Sequence, residues 1–429
     1  MIQDQAKLDK AVTLGLLWGA QFSSYVIRYS LSVVAPTWMM LYGIPPQTMG
    51  YILSGWQWSY AGAQLFIGPL LDRFGVWIVM GTGSALWGAG TAALPFAATG
   101  TIVFSMLLLF GLGHSMLVPG TAVSISRWFA PGERARAVAV AFSGNQVGLA
   151  GGGTIAALVL AQLGWQAVFY VAGGGGLLLA ILWFVFYPDK RIGRESAAAS
   201  TQSGRPQGPT WASLFLRRST WGIAIGQMGY LYAYYFFISW LPGYLVIERQ
   251  MTALRSGILS TFPFWAGMIG TLGGGWLTDY LIRRGASPTL ARKSVIGTSL
   301  ISATVLVVAA AFTQATWLTV ALLTLCVGVL RFTAGPANSF PIQLAPAGLV
   351  GSLASIQNFC GNSAGLLAPI VTGYIVGSTG SFVGALIAAG GMALLGALSY
   401  VFLVGHAETD SLGPKVPAAP VQPVPSQAN

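Results

Sequence analysis

The chain has 429 residues, 55% of them hydrophobic and only 7% charged, with a mean hydropathy of +0.69. A soluble domain carries roughly 25% charged residues, so composition excludes a soluble enzyme or a nucleic-acid-binding domain. The formal net charge of +11 therefore calls for another explanation, which the placement of the basic residues supplies.

The first ten residues, MIQDQAKLDK, are polar, and the apolar stretch behind them is too long for a signal-peptide core, so no cleavage is expected. Twelve apolar stretches follow, at roughly 12–38, 48–71, 76–97, 102–126, 138–163, 166–187, 219–246, 256–278, 294–313, 317–340, 352–377 and 382–405. Each is near the ~20 residues a helix needs to cross a bilayer, whereas a β-barrel would show short alternating segments. The fold class expected is an all-α polytopic membrane protein with twelve transmembrane helices in two pseudo-symmetric six-helix bundles. The bundles occupy 1–187 and 219–405, with a Ser-, Gly- and Pro-containing cytoplasmic linker at 188–218 between them. The tail 406–429 has no apolar periodicity and is expected to be disordered.

With the N-terminus in the cytoplasm, 17 Lys and Arg residues fall on the cytoplasmic side, only Arg249 and Arg255 fall opposite, and Arg28 and Arg331 lie inside spans. That asymmetry satisfies the positive-inside rule and places both termini in the cytoplasm. The net charge is thus a topology signal. Cys326 and Cys360 both lie in spans, so no disulfide is expected.

The two halves repeat one another. GPLLDRFG (68–75) closes span 2 and GGWLTDYL (274–281) closes span 8; Pro119 matches Pro336, and Gly144-Asn145 matches Gly361-Asn362, both at an offset of 217. The same offset pairs His114 with Arg331. Internal repeats of this kind are expected of transporters, with the substrate site near the midplane between them.

Several stretches resemble those of a known family. IRYSLSVVAP in span 1, GPLLDRFG after span 2, RWFAPGERARAVAVAFSGNQVG from span 4 into span 5, YFFISWLPGYL in span 7, GGGWLTDYLIRRG after span 8 and QNFCGNSAGLLAPIVTG in span 11 resemble the major facilitator superfamily. The resemblance covers nearly the whole chain. Within that superfamily they are similar to the anion:cation symporter family of bacterial organic-anion and sugar-acid permeases, related to SLC17-type carriers. The motif after span 2 marks only a transporter; the span 1, span 4–5 and span 7 blocks are the specific ones.

No catalytic constellation is present. The Gly clusters at 151–153, 173–176 and 273–275 lack a P-loop lysine and fit close helix packing. No enzyme activity, cofactor or metal site is expected. Arg28, deep in span 1 with no acidic residue near it in sequence, is the leading substrate ligand, because a guanidinium fork matches a carboxylate or phosphate; the alternatives are snorkelling or a helix carbonyl. The resemblance implies carboxylate binding by Arg28 and substrate contacts from Tyr25, Tyr60 and Asn358, with Asn145 in place of the usual glutamine. Tyr25 shares a helix face with Arg28. Buried amides are also common helix-packing glue. Arg331 is a second cavity candidate, unless Gly335 and Pro336 break the helix and let its side chain reach water. Among Tyr230, Tyr232, Tyr234 and Tyr235, at least two should face the cavity. Asp72 with Arg73, Glu133 with Arg134, and Asp279 with Arg283 lie at cytoplasmic loop edges, where gating contacts are expected.

The chain also departs from its relatives. None of its ten acidic residues is inside a span. Where the family carries an aspartate before the span 1 arginine, this chain has Ile27, and the arginine and glutamate of span 4 align with Leu107 and His114. His114 is then the candidate for carrying a coupling proton; the plain alternative is a buried neutral histidine. The expected function is alternating-access transport of a small organic anion, a sugar acid or aromatic acid, across the bacterial inner membrane, with proton-coupled import. The rival readings are an anion exchanger, an organophosphate:phosphate antiporter, and a non-transporting sensor. The expected partners are the anionic substrate, a proton and membrane lipid, with no nucleic acid, and the protein is expected to be a monomer.

Overall fold

A computed structural model describes residues 2–188, 211–346 and 349–405. Among them there is no strand. The helices are α1 (Ile2–Tyr42), α2 (Pro46–Ala92), α3 (Gly100–Ser115), α4 (Leu117–Trp128), α5 (Pro131–Leu163), α6 (Trp165–Phe186), α7 (Arg218–Ile247), α8 (Ala253–Leu259), α9 (Phe262–Arg283), α10 (Pro288–Phe312), α11 (Thr316–Leu330), α12 (Ala334–Leu344), α13 (Val350–Thr379) and α14 (Val383–Leu398). Each of the twelve predicted stretches is helical over most of its length. Eight helical stretches among the described residues are long and apolar enough on their own to cross a membrane, and Pro46–Gln64 with Phe66–Phe96 forms a bent pair. The stretches in α1 and α8–α9 are not among the eight. The first carries Gln21, Ser24 and Arg28, and the second the Gly run at 273–275 and Thr278, which lower their hydropathy. Most of the predicted linker and all of the predicted tail lie outside the described residues; Trp211–Leu216 forms a short 3-10 turn.

Spans 4, 8 and 10 are each built from two helices, and a glycine turn separates spans 2 and 3. Spans 2 and 3 form one continuous helix except at Gly75, where φ 76° and ψ 165° turn the chain; only glycine adopts that backbone without a steric cost. Span 4 is α3 plus α4, changing over at Met116, and span 10 is α11 plus α12, joined by a 3-10 turn at Arg331–Thr333. The two changes of direction fall at matching places in the 217-residue repeat. The alternative of a break at Gly335-Pro336 is not what occurs: the break lies at Arg331–Thr333, and Pro336 sits in the first turn of α12, where it lacks only an N–H that has no helical partner.

Inside the membrane every polar group needs an internal partner. Many span hydroxyls bond back one turn, as in Ser84 to the Met80 carbonyl (2.8 Å), Thr91 to Trp87 (2.8 Å) and Ser299 to Val295 (2.6 Å). Small residues bring backbones together, as the Gly clusters predict: Gly173 and Gly176 lie against Gly88 and Ala92, and Gly274 lies on Phe332. Helices α1–α6 pack on one another, and so do α7–α14. The two groups meet along α2 with α13, α5 with α8 and α9, and α1 with α7.

Candidate functional site

Between the two groups lies a cavity of about 420 Å³. One wall carries Tyr25 and Arg28 from α1, Tyr60 from α2, and Asn145 and Gln146 from α5. The other carries Gln227, Tyr230, Tyr234 and Tyr235 from α7, Arg331 from the turn after α11, and Gln357 and Asn358 from α13. All six predicted substrate contacts therefore line one space. Of Tyr230, Tyr232, Tyr234 and Tyr235, Tyr232 alone stays out of it.

Arg28 is 6% exposed. Its guanidinium carbon lies 4.2 Å from the Trp56 ring centroid, 4.7 Å from Tyr235 and 5.2 Å from Tyr25. These are cation–π contacts from both walls. They cover the faces of the guanidinium; its edge also faces the Tyr235 hydroxyl, and Nη2 is buried with no hydrogen-bond partner. Arg331 is held differently. Its Nη1 donates to the Tyr230 hydroxyl (2.7 Å) and its Nε to Thr271 Oγ1 (3.1 Å), with the guanidinium 4.7 Å from the Tyr234 ring.

His114 is 3% exposed and lies behind the cavity wall. Its Nδ1 is bonded to Ser24 Oγ, and the rings of Phe110, Tyr25, Trp56 and Tyr60 enclose it at 5.3 to 5.9 Å. Ile27 and Leu107 are buried, and with Arg28, Trp56 and Phe110 they line a void of about 10 Å³, room for about one water. Ile27 and Leu107 thus place hydrocarbon where the family resemblance puts an aspartate and an arginine.

Toward the Pro46 end of the cavity the groups touch. Gly50 lies on the Pro369 carbonyl, Gly373 on Pro46, and the Tyr29 hydroxyl donates to the Ser260 carbonyl at 3.2 Å. Toward the other end, which bears Asp72 and Glu133, the side-chain bonds of Glu133 and Arg134 stay within one group. Asp72, Arg73, Asp279 and Arg283 are exposed there. Glu133 pairs with Lys10 at 2.6 Å, not with the neighbouring arginines. That hydrogen bond, with one from the Ala130 N–H, holds its carboxyl below the usual range. Arg134 instead donates to the carbonyls of Phe129 and Ser126 (3.0 and 2.9 Å) and closes the end of α4.

Residues 17–369 match the family described as Major Facilitator Superfamily. The chain belongs to that superfamily. As a superfamily member it is a multi-pass membrane transporter and not an enzyme. It is 30% identical to a D-galactonate transporter of Escherichia coli O6:H1 over 92% of this chain and 95% of the other. Identity is 32% to a probable L-galactonate transporter of Escherichia coli K12, covering 94% and 92%, and 32% to a probable galactarate/D-glucarate transporter of Bacillus subtilis, covering 89% of each. Among solved structures, the superfamily fold recurs in a bacterial homologue of the human lysosomal transporter Spinster. That structure is inward-facing and unoccupied, with TM-score 0.79 and 15% identity over 95% of this chain and 99% of the other.

Sequence reading missed several wall residues of this superfamily member, among them Gln146, Gln227, Gln357, Asn338 and Asn362. The signal was present in span 7. Gln227, Tyr230, Leu231, Tyr234 and Ile238 follow the i, i+3, i+4, i+7, i+11 spacing of one helix face.

Proposed function

We propose that the protein is a secondary transporter that imports a small organic anion, a hydroxylated carboxylate of the sugar-acid type, across the bacterial inner membrane by alternating access. The observation that carries this reading is Arg28: a buried guanidinium, stacked between rings of both walls, with an edge nitrogen free and no acidic residue in any span. A buried donor without a partner costs about 1–3 kcal/mol, more when charged, and a substrate carboxylate removes that cost. Asn145, Gln146 and Asn358 suit the hydroxyls of such an acid, and Tyr25 and Tyr60 complete the wall. The sugar-acid names of the relatives support the substrate class.

The two helix groups, 1–187 and 219–405, act as the two rocking bundles. Positive-inside topology puts the Asp72 and Glu133 end in the cytoplasm, so the cavity is open inward and the Gly50–Pro369 contacts form the closed outer gate. Asp72, Arg73, Glu133, Arg134, Asp279 and Arg283 lie where the inner gate closes. Import is coupled to a proton through His114. A second reading, anion exchange, is favoured by one observation: His114 sits behind the rings and does not line the cavity. The test is uptake of labelled D-galactonate and D-glucarate into proteoliposomes. Uptake by wild type that Arg28→Gln abolishes supports the reading, and uptake retained by both Arg28→Gln and Arg28→Lys overturns the role of Arg28.

A further inference from the structure

A second cavity is larger than the central one. About 770 Å³ in volume, it is a groove on the outer face of α9 and α11. It starts at Arg255 and Trp317 and runs between Ile269 and Leu325 to Phe332. The two helices touch where Gly270 faces the Gly328 carbonyl. From Thr316 to Val329 α11 rises about 20 Å. One leaflet contributes half of a hydrocarbon core about 30 Å thick, so the groove is as deep as one leaflet and has the dimensions of an acyl chain.

Its mouth carries a charge. Arg255 is exposed, and its side chain has no hydrogen-bond or ion-pair partner among the described residues. Arg249, the other basic residue at this end, is occupied: it donates to the Tyr244 hydroxyl and to the carbonyls of Thr313 and Gln314. Trp317, 74% exposed at the start of α11, is placed as a headgroup-level aromatic. A lone cation over an apolar slot of leaflet depth is complementary to one class of molecule.

We propose that the α9–α11 groove holds an acyl chain of an anionic phospholipid whose phosphate is bound by Arg255. The deep end of the slot has a consequence for the cavity. Phe332 closes the groove, while Arg331, its neighbour in the same 3-10 turn, lines the central cavity. The stem of Arg331 rests on Gly267 and Gly270, and Gly270 also lines the groove. A lipid seated there packs against the turn that carries the second cavity cation and steadies it.

The proposal takes the membrane placement of the chain and is independent of its substrate, so the test reads lipid directly. Purified full-length protein in detergent is incubated with palmitoyl-oleoyl phosphatidylglycerol or with the phosphatidylcholine of the same chains. Retained lipid is then counted by native mass spectrometry. Wild type should prefer phosphatidylglycerol by about five-fold, the factor that one basic residue beside an anionic headgroup supplies. Arg255→Gln, at an exposed position, should erase the preference, and Ala321→Trp, which fills the slot, should reduce retention of both lipids. Equal retention of the two lipids by wild type overturns the proposal. A preference that survives Arg255→Gln, or retention unchanged in folded Ala321→Trp, does so as well.

Discussion

The two walls of the cavity are built to opposite rules. On the α7–α14 side the polar groups bond to one another: Tyr235 to Asn362 (3.0 Å), Arg331 to Tyr230, and Tyr400 to Gln227 (2.9 Å), with Gln357 donating to Tyr400 and to the Ala337 carbonyl. On the α1–α6 side fewer wall groups are held: Gln146 accepts from Tyr234 (3.3 Å), but Arg28 Nη2 and Asn145 Oδ1 have no partner among the described residues. Of the eleven buried side-chain atoms without a partner among the described residues, nine belong to α1–α6, these two on the cavity wall. A wired wall is a rigid frame, and its groups have little left to give a ligand. An unwired wall carries a standing desolvation cost that a ligand can remove. On the proposed function, the α1–α6 wall supplies affinity and the α7–α14 wall supplies geometry.

The sharpest way to break that comparison is to remove the fork on the unwired wall. Arg28→Gln should lower substrate affinity at least about 100-fold, since each charge-assisted hydrogen bond contributes roughly 1.5–3 kcal/mol and a bidentate pair has two. Arg28→Lys should lose most of this as well, because an ammonium keeps the charge without the fork. Calorimetric titration on protein shown to be folded measures both. On the wired wall, Arg331→Gln should cost less, about 10-fold, as two of its donors are already engaged. Its loss should be larger for a dicarboxylate than for a monocarboxylate. Equal losses for the two acids would make Arg331 a support for Tyr230 and not a ligand.

A pair of asparagines sharpens the contrast at smaller scale. Asn145→Ala removes an unpartnered amide and should weaken binding a few-fold while leaving Tm unchanged or slightly raised. Asn362→Ala strands the Tyr235 hydroxyl and should lower stability by about 1–3 kcal/mol with little change in affinity. Thermal unfolding and titration of the two variants side by side should show this exchange. If both variants lose affinity and neither loses stability, the walls do not differ.

How much of this was legible in the sequence depends on the physics involved. The spans follow from hydropathy over long windows, a sum that tolerates local errors. Arg28, Tyr25 and Arg331 stood out because polar atoms inside apolar helices are costly and few. The amides of α13 did not stand out as a set, although Gln357, Asn358 and Asn362 share a face at helical spacing with Ala354. What a linear sequence hides is the choice of partner across distance. Glu133 has arginines one and three residues away and pairs with Lys10, 123 residues back. Tyr234 finds Gln146 in the other group of helices at 3.3 Å. The same applies to His114. Its place in the repeat set it opposite Arg331, but α3 turns it toward Ser24 and a cage of rings, while the equivalent turn after α11 points Arg331 into the cavity.

His114 should give the smallest effect on affinity and the most informative one on energetics. Among the described residues nothing negative faces its ring; Arg28 is the formal charge acting on it. A substrate carboxylate on Arg28 would neutralise that cation one ring-width away, across Tyr25 and Trp56, which touch both residues. Binding and protonation then favour each other, and by linkage each strengthens the other by the same factor. His114→Asn keeps a hydrogen-bonding group facing Ser24 and removes only the titrating one. It should bind substrate within about two-fold of wild type and exchange it across the membrane. It should fail to accumulate substrate against a gradient when the outside is acidic, in a pH series from about 5.5 to 8 around the reference imidazole value. Lumenal acidification driven by substrate in wild type, absent in the variant, is the expected result. Accumulation by the variant equal to wild type would make His114 a packing residue. Wild type that moves no protons and requires an internal anion would turn the reading to exchange, with the carboxylate-free cavity as its cause.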